Sequence, residues 1–323
     1  MTTRPFNVDP TLTAISIAYR NPALHLIGTR VLPPLQVMQE TFKYSTFPIA
    51  EAFSVPNTAV GRRSRPPVLE FTGDEATAAV ADYGIDSDIP YTDIDAASAA
   101  RTAGLSTFDP ETLASAQLTN LIQLDREVRV AAVVQNAANY SAGRKVTLAG
   151  NDQFSAFATS DPYGVIDNGI QSTLVYQPNT HAMGKVVWNK LKRHPKLIKA
   201  VKGALTEDGA ISRRQYCDLF EIEEDRLLIG EGLINTAKKG QAVSLAGVWG
   251  KNIALLYIDP SKGTADDPTI TWGFTAEFGQ RIAGTGEDPH IGVRGGKFIR
   301  VGERVKELVV APDVGYLVTD AVA

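Results

Sequence analysis

The side chains that could do chemistry are few and scattered. The four histidines stand at positions 25, 181, 194 and 290. No two of them form the i,i+4 pair with an accompanying Glu by which one helical face holds zinc. Cys217 is the only cysteine, which excludes both an internal disulfide and a metal site built from several thiolates. Its apolar neighbours make it a packed thiol rather than a nucleophile. Gly284-Thr285-Gly286-Glu287-Asp288-Pro289 begins like a dinucleotide-binding turn. The third glycine is missing, however, and Pro289 blocks the helix that would cradle phosphate, so the stretch reads as a turn. Neither a phosphate-binding loop of the form G-x-x-x-x-G-K nor a G-x-S-x-G nucleophile elbow occurs. Asp82, Asp86, Asp88, Asp93 and Asp95 crowd one segment, but without the glycine and the terminal bidentate Glu of an EF-hand they read as a solvated acidic loop. No catalytic residue, cofactor site or metal site is expected. A hydrolase built from dispersed Asp and His residues would need them to converge in one pocket.

One charge cluster stands out. No carboxylate occurs between Asp167 and Glu207, while Lys185, Lys190, Lys192, Arg193, Lys196, Lys199 and Lys202 accumulate there. Such a cluster suits phosphate contacts with packaged nucleic acid; the bland reading, a solvated helix face near another subunit's acids, is preferred. The net charge of the 323-residue chain is -4, with 44% hydrophobic and 21% charged residues, which disfavours a polyanion-coating protein. The length suggests about two domains. Residues 1–9 carry no secretory signal and no apolar run reaches ~20 residues, so no membrane span is expected and synthesis is placed in the cytoplasm.

The elements that would position these groups follow from punctuation and period. Residues 1–30 read as an arm. From Val31 to Asp95, Pro33, Pro34, Pro48, Pro56, Pro66, Pro67 and Pro90 forbid a long helix. The segment Phe42–Phe47 reads as a strand, with Pro67–Phe71 returning antiparallel and a tip bearing Arg62, Arg63 and Arg65. So long a stretch without its own core is expected to dock on another chain. Asp109, Pro110 and Glu111 form a helix start. Leu113, Leu121, Leu124, Val128 and Ala131 form its apolar stripe, with Asp125 and Arg129 paired on another face. The helix is expected to reach about Asn139, roughly 45 Å. Thr180 caps a second helix, Pro195 starts a short one that stops at Gly203, and Ser212 caps another. Strands follow at 226–229, 253–258, 271–278, 297–301, 305–310 and 316–319. Helices first and strands later indicate an α+β fold.

Three stretches carry a resemblance. They are Asp125-Arg126-Glu127-Val128-Arg129-Val130-Ala131; Gly230-Glu231-Gly232-Leu233-Ile234-Asn235-Thr236-Ala237 with Val248-Trp249-Gly250-Lys251; and the closing run Ala311–Val318. With the order of parts, they resemble the major capsid proteins of tailed bacteriophages, the Hong Kong phage coat fold. The resemblance implies an N-terminal arm (1–30), an E-loop with flanking strands (31–95), a P domain around a spine helix (96–179), an A domain (180–290) and closing strands returning to the P domain (291–323). It implies an icosahedral shell of hexamers and pentamers around double-stranded DNA, with scaffold, portal and cement proteins as partners, located in the virion. It also implies no catalysis. The same fold serves cellular nanocompartment shells of the encapsulin type, which hold enzyme cargo.

Arg62, Arg63, Arg65, Asp125, Glu127, Asn235, Lys238 and Lys239 are the inter-subunit contact candidates. The founding member of the fold joins an E-loop Lys to a neighbour's Asn. Here the hairpin departs from the usual K-x-S-G-x-Y wording, with Phe42-Lys43-Tyr44-Ser45 in its place. No lysine occurs between Lys43 and Lys145, and guanidinium groups stay protonated, so covalent cross-linking is not expected.

Overall fold

The structure, a computed structural model, describes residues 7–8, 12–13, 25–46, 58–60, 62, 64–66, 74–173, 175–203, 209–238, 240–265, 267 and 269–323. The first half contains β1 (Asn7–Val8), the helical turn α1 (Gly28–Val31), β2 (Pro34–Val37), β3 (Thr41–Thr46), β4 (Asp74–Ala79), β5 (Ala81–Pro90), α2 (Tyr91–Thr102) and the long helix α3 (Pro110–Val134). Then come β6 (Lys145–Thr147), α4 (Pro162–Ser172), β7 (Thr180–Gly184), α5 (Lys185–Leu191), α6 (Pro195–Lys202), α7 (Arg213–Phe220), β8 (Leu227–Gly230), β9 (Leu233–Asn235) and β10 (Leu245–Gly247). The chain ends in β11 (Ile253–Leu256), β12 (Gly273–Phe278), β13 (Ile282–Asp288), β14 (Gly296–Val309) and β15 (Gly315–Thr319).

Two sheets carry separate cores. In the first, β14 is the common partner: its early residues pair antiparallel with β13 on one side and β5 on the other, and its later residues pair with β12. β2 adds parallel to β12, and β1 adds to β13. Helix α3 crosses this sheet and buries Leu118 and Ile122 against Ile89, Ile299 and Val301. The second sheet runs β6-β15-β11-β7-β8. Its strands β7, β8 and β11 are buried along their whole length, as expected of strands covered on both faces. Helices α4 to α7 supply Ile166, Val187, Leu191, Leu197, Ile198 and Tyr216 to its core.

Several boundaries move from their sequence-based positions. The hairpin strand is where it is expected, but its partner is Asp74–Ala79, with Phe42 opposite Ala78; Pro67–Phe71 lies outside the described residues. The aspartate segment is strand and helix rather than loop, with Asp82, Asp86 and Asp88 in β5 and Asp93 and Asp95 in α2. β5 pairs along β14 from Ala81 to Pro90, and Asp86 holds Arg300 through two bonds of 2.6 and 2.7 Å. That part of 31–95 is therefore satisfied inside its own subunit. The Gly284–Asp288 stretch likewise lies in β13, because β14 supplies its partners without needing a glycine turn. β14 is one strand of 14 residues where two short ones were expected. Thr180 opens a buried strand instead of capping a helix; a short apolar run does not by itself distinguish the two. Ser212 does cap α7, in a reciprocal capping box with Gln215, and Gly203 ends α6 with φ 87°.

Helix α3 ends at Val134, giving 25 residues and about 37 Å. Asp109 sits at its N-cap position, but the carboxylate takes Thr112 Oγ1 at 2.6 Å and Arg101 at 3.2 Å rather than a backbone N–H. At the other end the Tyr140 hydroxyl donates to the Val134 carbonyl and Asn139 Nδ2 to that of Val133, both at 2.7 Å. These bonds satisfy carbonyls that a helix end leaves open.

The buried face of α3 is not the stripe expected from its spacing, of which only Ala131 is buried. Ala114, Ser115, Leu118, Thr119, Ile122, Arg126, Glu127, Val130, Ala131 and Val134 are buried. Leu113 and Leu121 remain 44% and 51% exposed, with Leu124 and Val128 half-buried. Small residues let the helix lie close on the sheet, and the charged ones are satisfied there by partners that periodicity does not reveal.

Candidate functional site

Two of the three stretches that carried the resemblance meet at one side chain. Glu127 is buried on α3. Its Oε1 accepts from Ile27 N at 2.9 Å and from Trp249 Nε1 at 2.6 Å, and its Oε2 accepts from Gly28 N at 2.6 Å. One carboxylate thus holds the chain entering α1, the long helix and the segment after β10. Burial pushes the Glu127 pKa up, against the opposing pull of Trp249 and the two backbone donors. The glycines around it are explained by space. A Cβ on Gly230 would lie 2.0 Å from the Trp249 ring, and one on Gly28 would lie 2.6 Å from Glu127 Oε2.

On either side of Glu127 in sequence, α3 is tied to the first sheet by charge. Arg126 lies 2.6 Å from Glu277 and 3.7 Å from Glu303. Arg129 pairs with Glu303 at 3.1 Å, with Glu307 at 3.0 Å and with Asp125 on its own helix. Arg281 reaches Glu303 at 2.9 Å. The Arg129 guanidinium also stacks 3.6 Å above the Tyr83 ring, a geometry favoured by the ring's negative face. Burial works against the Arg129 charge, but Glu307, Asp125 and Glu303 outweigh it and hold its pKa above the usual value. Beside this network lies a cleft of about 490 Å³ whose lining includes His25, Gln36, Arg126, Gln280, Arg281 and Glu303.

The contact candidates fall in different places. Glu127 is the internal clamp described above, with both oxygens engaged within the chain. Asp125 is exposed and paired to Arg129. Asn235 braces the ribbon formed by β9 and β10: its Oδ1 accepts from Ala237 N at 3.0 Å and Ser244 N at 3.1 Å. Lys238 is exposed at the ribbon's tip. Arg62 and Arg65 are exposed, while Arg63 and Lys239 lie outside the described residues. In the basic cluster, Lys185 pairs with Glu231 at 3.0 Å and Lys196 with Asp161 at 3.8 Å, and Lys190 lies 5.8 Å from the Phe157 ring.

One arrangement that sequence spacing hides is a Ser–His pair. Ser160 Oγ and His194 Nε2 are 3.0 Å apart. His194 Nδ1 accepts from Lys196 N, which places the neutral ring's proton on Nε2. The imidazole therefore donates to Ser160, whose own hydroxyl donates to the Ala156 carbonyl at 2.8 Å. A nucleophilic serine needs the reverse, an imidazole that accepts its proton. Cys217 is buried, and burial with the nearby Glu224, Asp218 and Asp225 pushes its thiol up to about 11. Among the described residues no three His, Cys, Asp or Glu side chains gather as a metal site, and no helix is long and apolar enough to cross a membrane.

His181, whose Nδ1 shares a bond with Tyr216, is pulled by burial to about 3, and His194, by burial with Lys196 nearby, to about 4. Both bind protons more weakly folded than unfolded. Their contribution is complete above about pH 6.5, the ordinary value, and is lost as pH falls toward 4 and 3. Denaturant midpoints of dissociated subunits should accordingly drop from pH 7 to pH 4.5. His194→Asn, which keeps a capping acceptor without a titrating ring, should reduce the drop; an unchanged pH profile would refute the assignment.

No protein-family model matches the chain. It is 40% identical over 323 residues to the major capsid protein of Pseudomonas phage JBD67, covering 100% of both chains. Among solved structures it is similar to a phage-related protein from Bordetella bronchiseptica RB50, with TM-score 0.72, 21% identity and coverage of 98% of this chain and 99% of that one. It also shares its fold with the capsid of cyanophage P-SCSP1u, with TM-score 0.57, 11% identity and coverage of 94% and 89%. With full-length identity at this level, and with helix, sheets and clamp arranged as described, the chain belongs to the phage major capsid proteins of the Hong Kong phage coat fold.

Proposed function

We propose that copies of this chain assemble, as hexamers and pentamers, into the icosahedral shell that encloses a phage's double-stranded DNA genome. The end-to-end similarity to a phage major capsid protein carries this reading. The role is structural, with no catalytic step, and the Ser160–His194 orientation speaks against the hydrolase reading. Synthesis takes place in the host bacterial cytoplasm and residence is in the virion. Scaffold, portal and cement proteins are the partners, together with DNA held by non-specific contacts. We assign the first sheet with α3 to the P domain, the second to the A domain, β3 and β4 to the base of the E-loop, and Arg62, Arg63 and Arg65 to carboxylates of a neighbouring subunit; strand pairing thereby moves β12 and β13 out of the expected 180–290 A-domain span into the P domain, and β6 and β15 into the A domain. A nanocompartment shell would enclose an enzyme instead; the phage relative favours the genome. Electron micrographs of the purified chain test the proposal. Closed shells support it, and particles that stay monomeric under all assembly conditions overturn it.

The shell is held without covalent links. Lys43, the nearest lysine on the N-terminal side of the hairpin tip, lies in β3, where it bonds Glu75 at 2.6 Å. That bond and the Glu75 charge raise its pKa, which favours the protonated amine over the nucleophilic one. Mature particles boiled in denaturing detergent should release a single band at 34.7 kDa. A covalent ladder would mean that another nucleophile acts.

A further inference from the structure

We infer that the lysine-rich outer side of α5 and α6 is the surface by which the shell holds its packaged DNA duplex, through the phosphates; the inference rests on the shell reading and names the face against which that DNA lies. Residues 185–202 hold seven of the chain's 32 cationic side chains and none of its 36 carboxylates, which leaves a net charge of -11 on the rest of the molecule. A polyanion is repelled by most of this protein and attracted here.

Packing turns these charges to one side. Helix α5 buries Val187, Trp188 and Leu191, and α6 buries Leu197 and Ile198. All five belong to one core of the second sheet, so both helices present their remaining sides away from that core. On α6, Lys196, Lys199 and Lys202 recur at every third position and are exposed, which sets them along one side of the helix. Arg193, between the helices, is exposed as well, and Lys190 and Lys192 are half-buried. A lysine stem can lie on apolar surface while its ammonium reaches water.

Internal pairing leaves positive charge over. Glu231 takes Lys185 at 3.0 Å, and Asp161 lies 3.8 Å from Lys196 with both partners open to solvent, a pair that contributes little. Lys192, Arg193 and Lys202 have no carboxylate partner among the described residues.

Residue type separates the two partners that such a face could take. Six of the seven cations are lysine. Protein interfaces are depleted in Lys and enriched in Arg and aromatic residues, because a strongly hydrated ammonium on a flexible stem is costly to fix and desolvate. Phosphate backbones accept such mobile point charges in any register, and the counter-ions they release supply the free energy. A neighbouring subunit's acids would require fixed pairs; a duplex held without sequence register does not.

The test is amine footprinting of DNA-filled particles against the same particles emptied of DNA. Acetylation by a small acylating reagent, mapped by mass spectrometry, should be several-fold slower at Lys192, Lys199 and Lys202 in the filled particles. Slow reaction in both would assign the face to a neighbouring subunit's acids, and fast reaction in both would leave it solvated. Either result overturns the inference and leaves the shell reading standing; a chain that never forms shells overturns both. As a second measurement, dissociated subunits can be titrated with a random-sequence duplex of about 30 base pairs. Lys192→Gln, Arg193→Gln and Lys202→Gln together should make the salt dependence of log K shallower by about 3 and lower the affinity at about 50 mM salt by about tenfold or more, at unchanged circular dichroism. Lys238→Gln with Lys251→Gln and Lys306→Gln removes as much charge from exposed positions elsewhere and should cost less than about threefold. Equal losses in the two variants, or a wild type that does not bind the duplex, would count against the assigned face.

Discussion

Glu303→Gln should lower the stability of the subunit by about 3–5 kcal/mol, the usual cost of removing one partner from a buried ion pair. Glu303 is 5% exposed and lies within 4 Å of Arg126, Arg129 and Arg281. Without its charge, three guanidinium groups share what remains of Glu277, Glu307 and Asp125 in a region that water enters poorly. The attraction lost is large because the surroundings are of low dielectric. The effect should appear as a lower denaturant midpoint at an unchanged slope, read on dissociated subunits. If Glu303→Gln costs less than about 1 kcal/mol, the network is solvated and surface-like and does not fasten α3 to the sheet.

Glu127→Ala should be comparably severe, at about 4 kcal/mol. Ile27 N, Gly28 N and Trp249 Nε1 would each lose their acceptor, and an unsatisfied buried donor costs about 1–3 kcal/mol. Glu127→Gln keeps the volume but turns an amide NH₂ toward N–H donors, so it should recover little. Aspartate should also fail, being one methylene too short to reach both Trp249 and α1. Besides the unfolding midpoint, hydrogen exchange at Ile27 and Gly28 reports the clamp directly. Faster exchange there is expected in Glu127→Ala, and unaltered protection would show that α1 is held by its apolar contacts alone.

Much of the molecule was legible from local chemistry. The Pro110 start of the long helix, the Ser212 cap, the stop at Gly203, strands near 227 and 253, and the β3 strand all rest on signals within a few residues of the event. So did the capsid family, which the short stretches around Glu127 and Trp249 pointed to. A single cysteine and scattered histidines already argued against a metal or thiol centre, because those chemistries demand particular residue types at fixed spacing.

The tertiary structure decided what depends on distant partners. Aliphatic spacing on α3 selected Leu113, Leu121, Leu124, Val128 and Ala131 as its buried stripe; of these only Ala131 is buried, and the fold turns inward a face that carries Arg126 and Glu127 beside Leu118, Ile122 and Val130. Hydropathy describes a side chain alone, whereas the cost of burying a charge depends on whether a counter-charge waits at the burial site. For Arg126 that counter-charge is Glu277, and for Glu127 the donors are Trp249 and the backbone of Ile27 and Gly28. The aspartates of β5 became strand for the same reason, since Arg300 on β14 answers Asp86 across more than two hundred residues. Local sequence sets what each segment can do, and the contacts supplied by segments far along the chain determine which face it turns inward.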